Sequence, residues 1–108
     1  MTTYQYLIGR NLWVRSDPRW NAAIEMFALP LFSDRERAAI MAAVDFEHRH
    51  IDWEAIFATA ESWARPKQIL LHIAHALFED GDCQLAVLGQ LNTAERAAAL
   101  MVIAERYR

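Results

Sequence analysis

The stretch Arg65-Pro66-Lys67-Gln68-Ile69-Leu70-Leu71-His72-Ile73-Ala74-His75-Ala76-Leu77-Phe78-Glu79 is the most apolar segment of the chain. Ile69, Leu70, Ile73, Ala74 and Leu77 recur at three- and four-residue intervals, which stacks them on one side of an α-helix. Pro66 suits a helix start, where its missing N–H has no partner to lose. Gly81 follows as the residue expected to take the left-handed conformation that closes a helix. A helix this apolar has to be covered, so the segment predicts a central helix and makes the rest of the chain its cover.

Reading outward toward the C-terminus, Cys83–Leu88 predicts a brief helix ending near Gly89. Asn92 then stands three residues before Glu95, a cap signature that opens a last helix running to Tyr107. Toward the N-terminus, Asp52 caps a short helix whose inward residues are Trp53, Ile56, Phe57, Ala60 and Trp63. Ser33-Asp34-Arg35-Glu36 is a capping box, and the helix it opens is expected to reach about Arg49, with Ile40, Met41, Val44 and His48 on one stripe. Asp17-Pro18 starts a further helix that buries Trp20, Ala23, Ile24 and Phe27 and stops at Leu29-Pro30. Residues 1–16 form an aromatic and basic arm. Tyr4, Tyr6 and Ile8 alternate, then Leu12 and Val14 alternate beyond Gly9-Arg10-Asn11, a pattern that suits a short hairpin and equally a helical arm.

These elements predict an all-α fold: a compact single-domain bundle of five or six short helices over residues 17–108, preceded by the arm at 1–16. Short linkers favour crossed helices over a long up-and-down bundle. Composition agrees. Of 108 residues 55% are apolar and only 3 are Gly and 3 Pro, which excludes a disordered tail or a collagen-like chain. The 19 alanines favour helix because alanine loses no side-chain entropy there. A single cysteine, Cys83, excludes an internal disulfide and points to a reducing, cytoplasmic setting. No apolar run approaches the ~18 residues of a membrane span, and the first fifteen residues lack the pattern of a secretory leader.

The histidines are the natural place to look for a metal. His72, His75 and Glu79 share an arc of about 60° with Gln68, opposite the Ile69–Leu77 face. They are weak metal candidates beside the plainer reading of a solvated face, and no cofactor is expected. Glu47 and His50 have the spacing of half a di-iron motif, which would need a second copy and two further glutamates. Cys83 follows Asp80 and Asp82, whose negative charge opposes thiolate formation. Asp80-Gly81-Asp82 resembles the start of a calcium loop, but Leu91 stands where the loop's last glutamate belongs. No catalytic residue is assigned.

Nucleic acid is the weaker partner class. The net charge is −3, with 11 basic against 14 acidic residues, whereas phosphate-binding domains lean basic. Leu85–Gly89 leads into Thr93–Arg96 in the manner of a helix-turn-helix, yet the small residue and the turn glycine miss that motif's register by one. Its second helix opens with Glu95 and continues Ala97-Ala98-Ala99, leaving Arg96 alone to read bases. Protein is the expected partner, another chain or a second copy of this one. Candidate contacts are Tyr4, Tyr6, Arg10, Trp13 and Arg15 on the arm, Phe46, and Val102 with Ile103. On the last helix Ala94, Ala97, Leu100, Met101 and Ala104 make one apolar face, which leaves Val102 and Ile103 for a partner. A basic excess over residues 1–20 faces an acidic excess over 34–54, an asymmetry that can orient a partner. The leading expectation is therefore a small accessory, regulatory or inhibitory protein.

Overall fold

The computed structural model describes all 108 residues. Six α-helices carry the architecture: α1 (Thr3–Ile8), α2 (Pro18–Phe27), α3 (Asp34–Met41), α4 (Trp53–Thr59), α5 (Arg65–Glu79) and α6 (Thr93–Arg106). Three 3₁₀ turns at Leu12–Ser16, Ala60–Ser62 and Leu85–Gln90 join them, and Val44–Asp45 (β1) pairs antiparallel with His50–Ile51 (β2). The fold is all-α apart from that two-residue ladder. No helix is long and apolar enough to cross a membrane.

α5 is central as its sequence requires, burying Ile69, Leu70, Leu71, Ile73, Ala74 and Leu77. It shares the centre with α2, which lies against α1, α5 and α6. Six of the ten α2 residues are buried: Trp20, Ala22, Ala23, Ile24, Met26 and Phe27. Asp17 caps this helix, its carboxylate accepting the Arg19 and Trp20 amides at 3.1 and 3.2 Å. The capping boxes at Ser33/Glu36 and Asn92/Glu95 form as expected. Asp52 accepts the Ala55 amide at 3.1 Å to start α4.

The arm is helical. Thr2 and Gln5 make a capping box, and Gly9 ends α1 at φ 53°, where a side chain would be strained. The alternation that suggested a hairpin instead places Ile8 and Val14 in the common core. α3 is also shorter than expected, stopping at Met41 instead of reaching Arg49. Asp45 is the cause. Its carboxylate accepts the His48 amide at 3.1 Å and contacts the His48 ring at 2.8 Å, a local turn that competes with helix. Those bonds from His48 hold the Asp45 carboxyl below its ordinary range. The stripe through Val44 and His48 therefore does not exist: His48 is exposed, and Glu47 and His50 lie on a hairpin rather than a helix.

Two smaller corrections follow from side-chain chemistry. The left-handed residue after α5 is Asp80 (φ 55°, ψ 34°), not Gly81, whose amide donates to the Ala76 carbonyl at 2.9 Å. Asp80 is held there by ion pairs with Arg19 of α2 and Arg106 of α6. The helix expected over Cys83–Leu88 is a 3₁₀ turn over Leu85–Gln90 with no buried residue.

Buried polar groups tie the layers together. The Arg37 guanidinium donates to the carbonyls of Phe27, Leu29 and Phe32 at 2.9, 2.9 and 2.8 Å. It thereby fixes the connection between α2 and α3. Lys67, the one lysine, reaches both carboxylate oxygens of Glu36 at 2.8 Å and joins α5 to α3. Burial raises the Glu36 carboxyl, but the bonds from Lys67 and Ser33 outweigh it and leave the group below its ordinary value. Gln68 donates to three carbonyls at the end of the α4 region, those of Ala60, Glu61 and Trp63.

Candidate functional site

The expected contact residues divide into three groups. Val102 and Ile103 belong to the interior: Val102 is 3% exposed and Ile103 packs half-buried against the core. α6 is thus turned about its axis relative to the sequence reading. Ala99 and Val102 face α2 and α5, while Ala94, Ala97, Leu100, Met101 and Ala104 face outward. Leu100 is 47% and Met101 70% exposed. This reverses the expectation that Val102 and Ile103 are the residues left for a partner.

Trp13 and Phe46 form the second group, and the fold brings them together. Their rings lie 6.5 Å apart, and both pack on Trp20, at 5.0 and 5.7 Å. The Arg49 guanidinium sits 4.1 Å from the Trp13 ring, with Arg49 itself at φ 51°. Both aromatics are half-buried members of the core margin, so Phe46 is not the free surface anchor that its helical placement implied.

The third group remains at the surface. Tyr6 is 75% exposed, and Arg10 and Arg15 are exposed and take part in none of the ion pairs. Tyr4 lies between the groups: its hydroxyl donates to Asn21 Oδ1 of α2, and the residue is half-buried. Burial, then the charge of Glu25, raises the Tyr4 hydroxyl pKa.

The N-terminal turn of α1 forms a ridge between two grooves, Thr2 and Thr3 lining both. One groove, of about 790 Å³, lies toward α3 and is bounded by Met1, Tyr6, Leu7, Ala38 and Met41. The other, of about 670 Å³, lies between α1, α2 and α6. Its floor is Ala28, Leu29, Ala98, Met101 and Val102, and its polar walls include Glu25 and Glu105. Sequence periodicity found the helices that carry these residues. It could not find the grooves, because no spacing relates α1 to α6.

Burial, then the nearby Glu105 carboxylate, raises the pKa of Glu25. Only a long hydrogen bond from Asn21, 3.4 Å, holds Glu25 directly, whereas Glu105 is paired with Arg108 at 2.6 Å. Arg108 lowers it only at a distance, so Glu25 is a half-buried carboxylate without an ion pair at the wall of an apolar groove, a group with unmet interaction capacity.

On the histidine strip His72 and Glu79 are exposed, as a solvated face requires, while His75 is half-buried. His72 stacks on Phe57 with ring centres 4.5 Å apart, and His75 packs on Trp53 at 4.9 Å. Burial, then the charges of Arg65 and His75, lowers the His72 pKa. The two rings fasten α5 to α4, and no group of three His, Cys, Asp or Glu side chains is arranged to hold a metal ion. Trp53 Nε1 is buried without a hydrogen-bond partner in the same aromatic layer.

The class defined by this fold and surface is a small all-α domain with an apolar, acidic-walled groove beside an exposed aliphatic helix face. No protein-family model matches the chain, and neither a curated protein nor a solved structure matches it significantly.

Proposed function

We propose that the protein acts by protein–protein contact, as a small intracellular accessory, regulatory or inhibitory protein. The contact face is the outward side of α6 together with α1. The observation that carries this reading is the exposure of Leu100 and Met101 on α6, with Tyr6 and Met1 exposed on and beside α1. Large apolar side chains gathered around grooves are the usual form of a contact surface, whereas single exposed ones need no explanation. Met101 and Tyr6 each line a groove on either side of the same α1 ridge. Methionine and tyrosine suit such a role, since one adapts its shape and the other offers a rigid ring with a polar tip.

The helix-turn-helix alternative draws less support. Arg96, its one base-reading candidate, is spent within the fold, donating to the carbonyls of Leu88 and Leu91 at 2.9 Å each.

The test is co-purification of the tagged protein from its source cells, compared with Met101→Asp and Tyr6→Asp. Leu85→Asp serves as an exposed control elsewhere on the surface. A stoichiometric partner retained by wild type and the control but lost by the two face variants supports the reading. A monomer without such a partner refutes it, as does capture indifferent to Met101→Asp.

A further inference from the structure

We propose that the groove between α1, α2 and α6 takes a segment of a partner protein that presents an arginine or lysine beside an apolar side chain. The inference rests on the contact-face reading and adds the chemistry of the occupant. The cation lies between the Glu25 and Glu105 walls, and the apolar side chain covers Ala28, Leu29 and Met101.

Charge complementarity selects this occupant. The groove floor is apolar, and the charged side chains on its lining are two carboxylates with no cation among them. Glu25 on α2 and Glu105 on α6 act on each other through space, and that repulsion adds to the effect of burial on Glu25. The chain offsets it weakly. Arg108 pairs with Glu105 and acts at a distance on Glu25 from a position 78% exposed, where water screens both effects. Arg15 acts at a distance on Tyr4, and it makes no ion pair with Glu25. An arriving guanidinium or ammonium group would relieve the repulsion and give Glu25 a charged donor in addition to the long bond from Asn21. An acidic or neutral segment would leave both carboxylates desolvated beneath it, which is unfavourable. The apolar floor explains why the occupant is a peptide segment and not a free small cation. Met101 at 70% exposure gains from cover only if the ligand carries apolar surface.

The test uses the full chain and three fluorescent helical peptides of sixteen residues. The first carries leucines at three- and four-residue spacing with arginines flanking the stripe. In the second glutamine replaces every arginine, and in the third serine replaces every leucine. Anisotropy is expected to show binding of the first alone, weakened about tenfold by Glu25→Gln combined with Glu105→Gln and weakened by added salt. Circular dichroism checks that the double variant is folded.

Equal binding of the glutamine peptide, or no response to the double variant, overturns the charge inference and leaves the apolar face standing. Failure of all three peptides also overturns it, and the broader reading then rests on the Met101→Asp capture experiment. Sedimentation closes the remaining route. A dimer dissolved by Glu25→Gln would assign the groove to Arg10 and Arg15 of a second copy, and would overturn the proposal for a different partner.

Discussion

Replacing Arg37 with methionine removes the five guanidinium N–H donors while keeping most of the side-chain volume. The consequence can be worked from the structure. Three carbonyls lose their donor, those of Phe27, Leu29 and Phe32, and two of these residues are at most 2% exposed. A hydrogen bond to a charged group is worth about 1.5–3 kcal/mol net. Simple addition would overestimate the loss, because the three bonds share one side chain and water can reach Leu29. The fourth contact, to Asp34, counts for little, since that carboxylate is fully exposed. A destabilisation of about 3–5 kcal/mol follows, comparable to breaking a buried charged network. Against a total of ~5–15 kcal/mol for such a domain, this is a large fraction. The melting temperature should fall by at least about 12 °C, taking ~4 °C per kcal/mol. Urea unfolding followed by far-UV circular dichroism measures the change, with Arg35→Met as the exposed neighbour expected to stay within ~0.5 kcal/mol. A loss below ~1 kcal/mol for Arg37→Met would show that the α2–α3 connection is held by its own packing and not by the arginine.

Three further outcomes are expected. Val102→Ala should cost about 1.5–3 kcal/mol, and Met101→Ala less than ~0.5 kcal/mol, because only the former empties a core site; equal effects would contradict the orientation of α6. Burial and Glu105 raise the folded-state pKa of Glu25, so the folded state holds its proton more tightly and stability falls as pH rises through the range above the ordinary carboxyl value. Glu25→Gln should therefore melt higher than wild type at pH 7.5, with the gain disappearing near pH 4; a variant less stable at neutral pH would refute the assigned environment. His72 has the opposite sign: its lowered pKa favours the neutral ring in the fold, so its contribution is present above the ordinary value and is lost as pH falls below it. Phe57→Ala opens that ring to water, and an NMR titration of the His72 ring should show the pKa returning toward the ordinary value; an unchanged titration would locate the cause elsewhere.

Local chemistry was legible wherever one residue satisfied its own neighbours. The caps at Asp17, Ser33, Asp52 and Asn92 lie where their sequences place them, because an N-cap bond spans only two or three residues. Misreadings arose where distant groups competed with local preference. Asp80 and not Gly81 takes the left-handed position, and Arg19 and Arg106, from other helices, converge on its carboxylate. The exception is Asp45, whose turn is local and which a helical reading of Ile40–His48 overran.

The two halves of the candidate site differ in the same way. The amphipathic period of α5 is strong enough to dictate which side is buried, and Ile69, Ile73 and Leu77 are inside as their spacing demands. On α6 the apolar residues run almost all round, so periodicity offers two faces of similar merit. Packing against α2 chose between them. The narrow side carrying Ala99 and Val102 went in, and Leu100 and Met101 were left outside. Sequence alone therefore determined that this is a small all-α domain and where five of its six α-helices start. Only the tertiary structure decided which apolar face of α6 stays outside and set Glu25 and Glu105 beside it, because those residues are related through helix packing and not through any spacing along the chain.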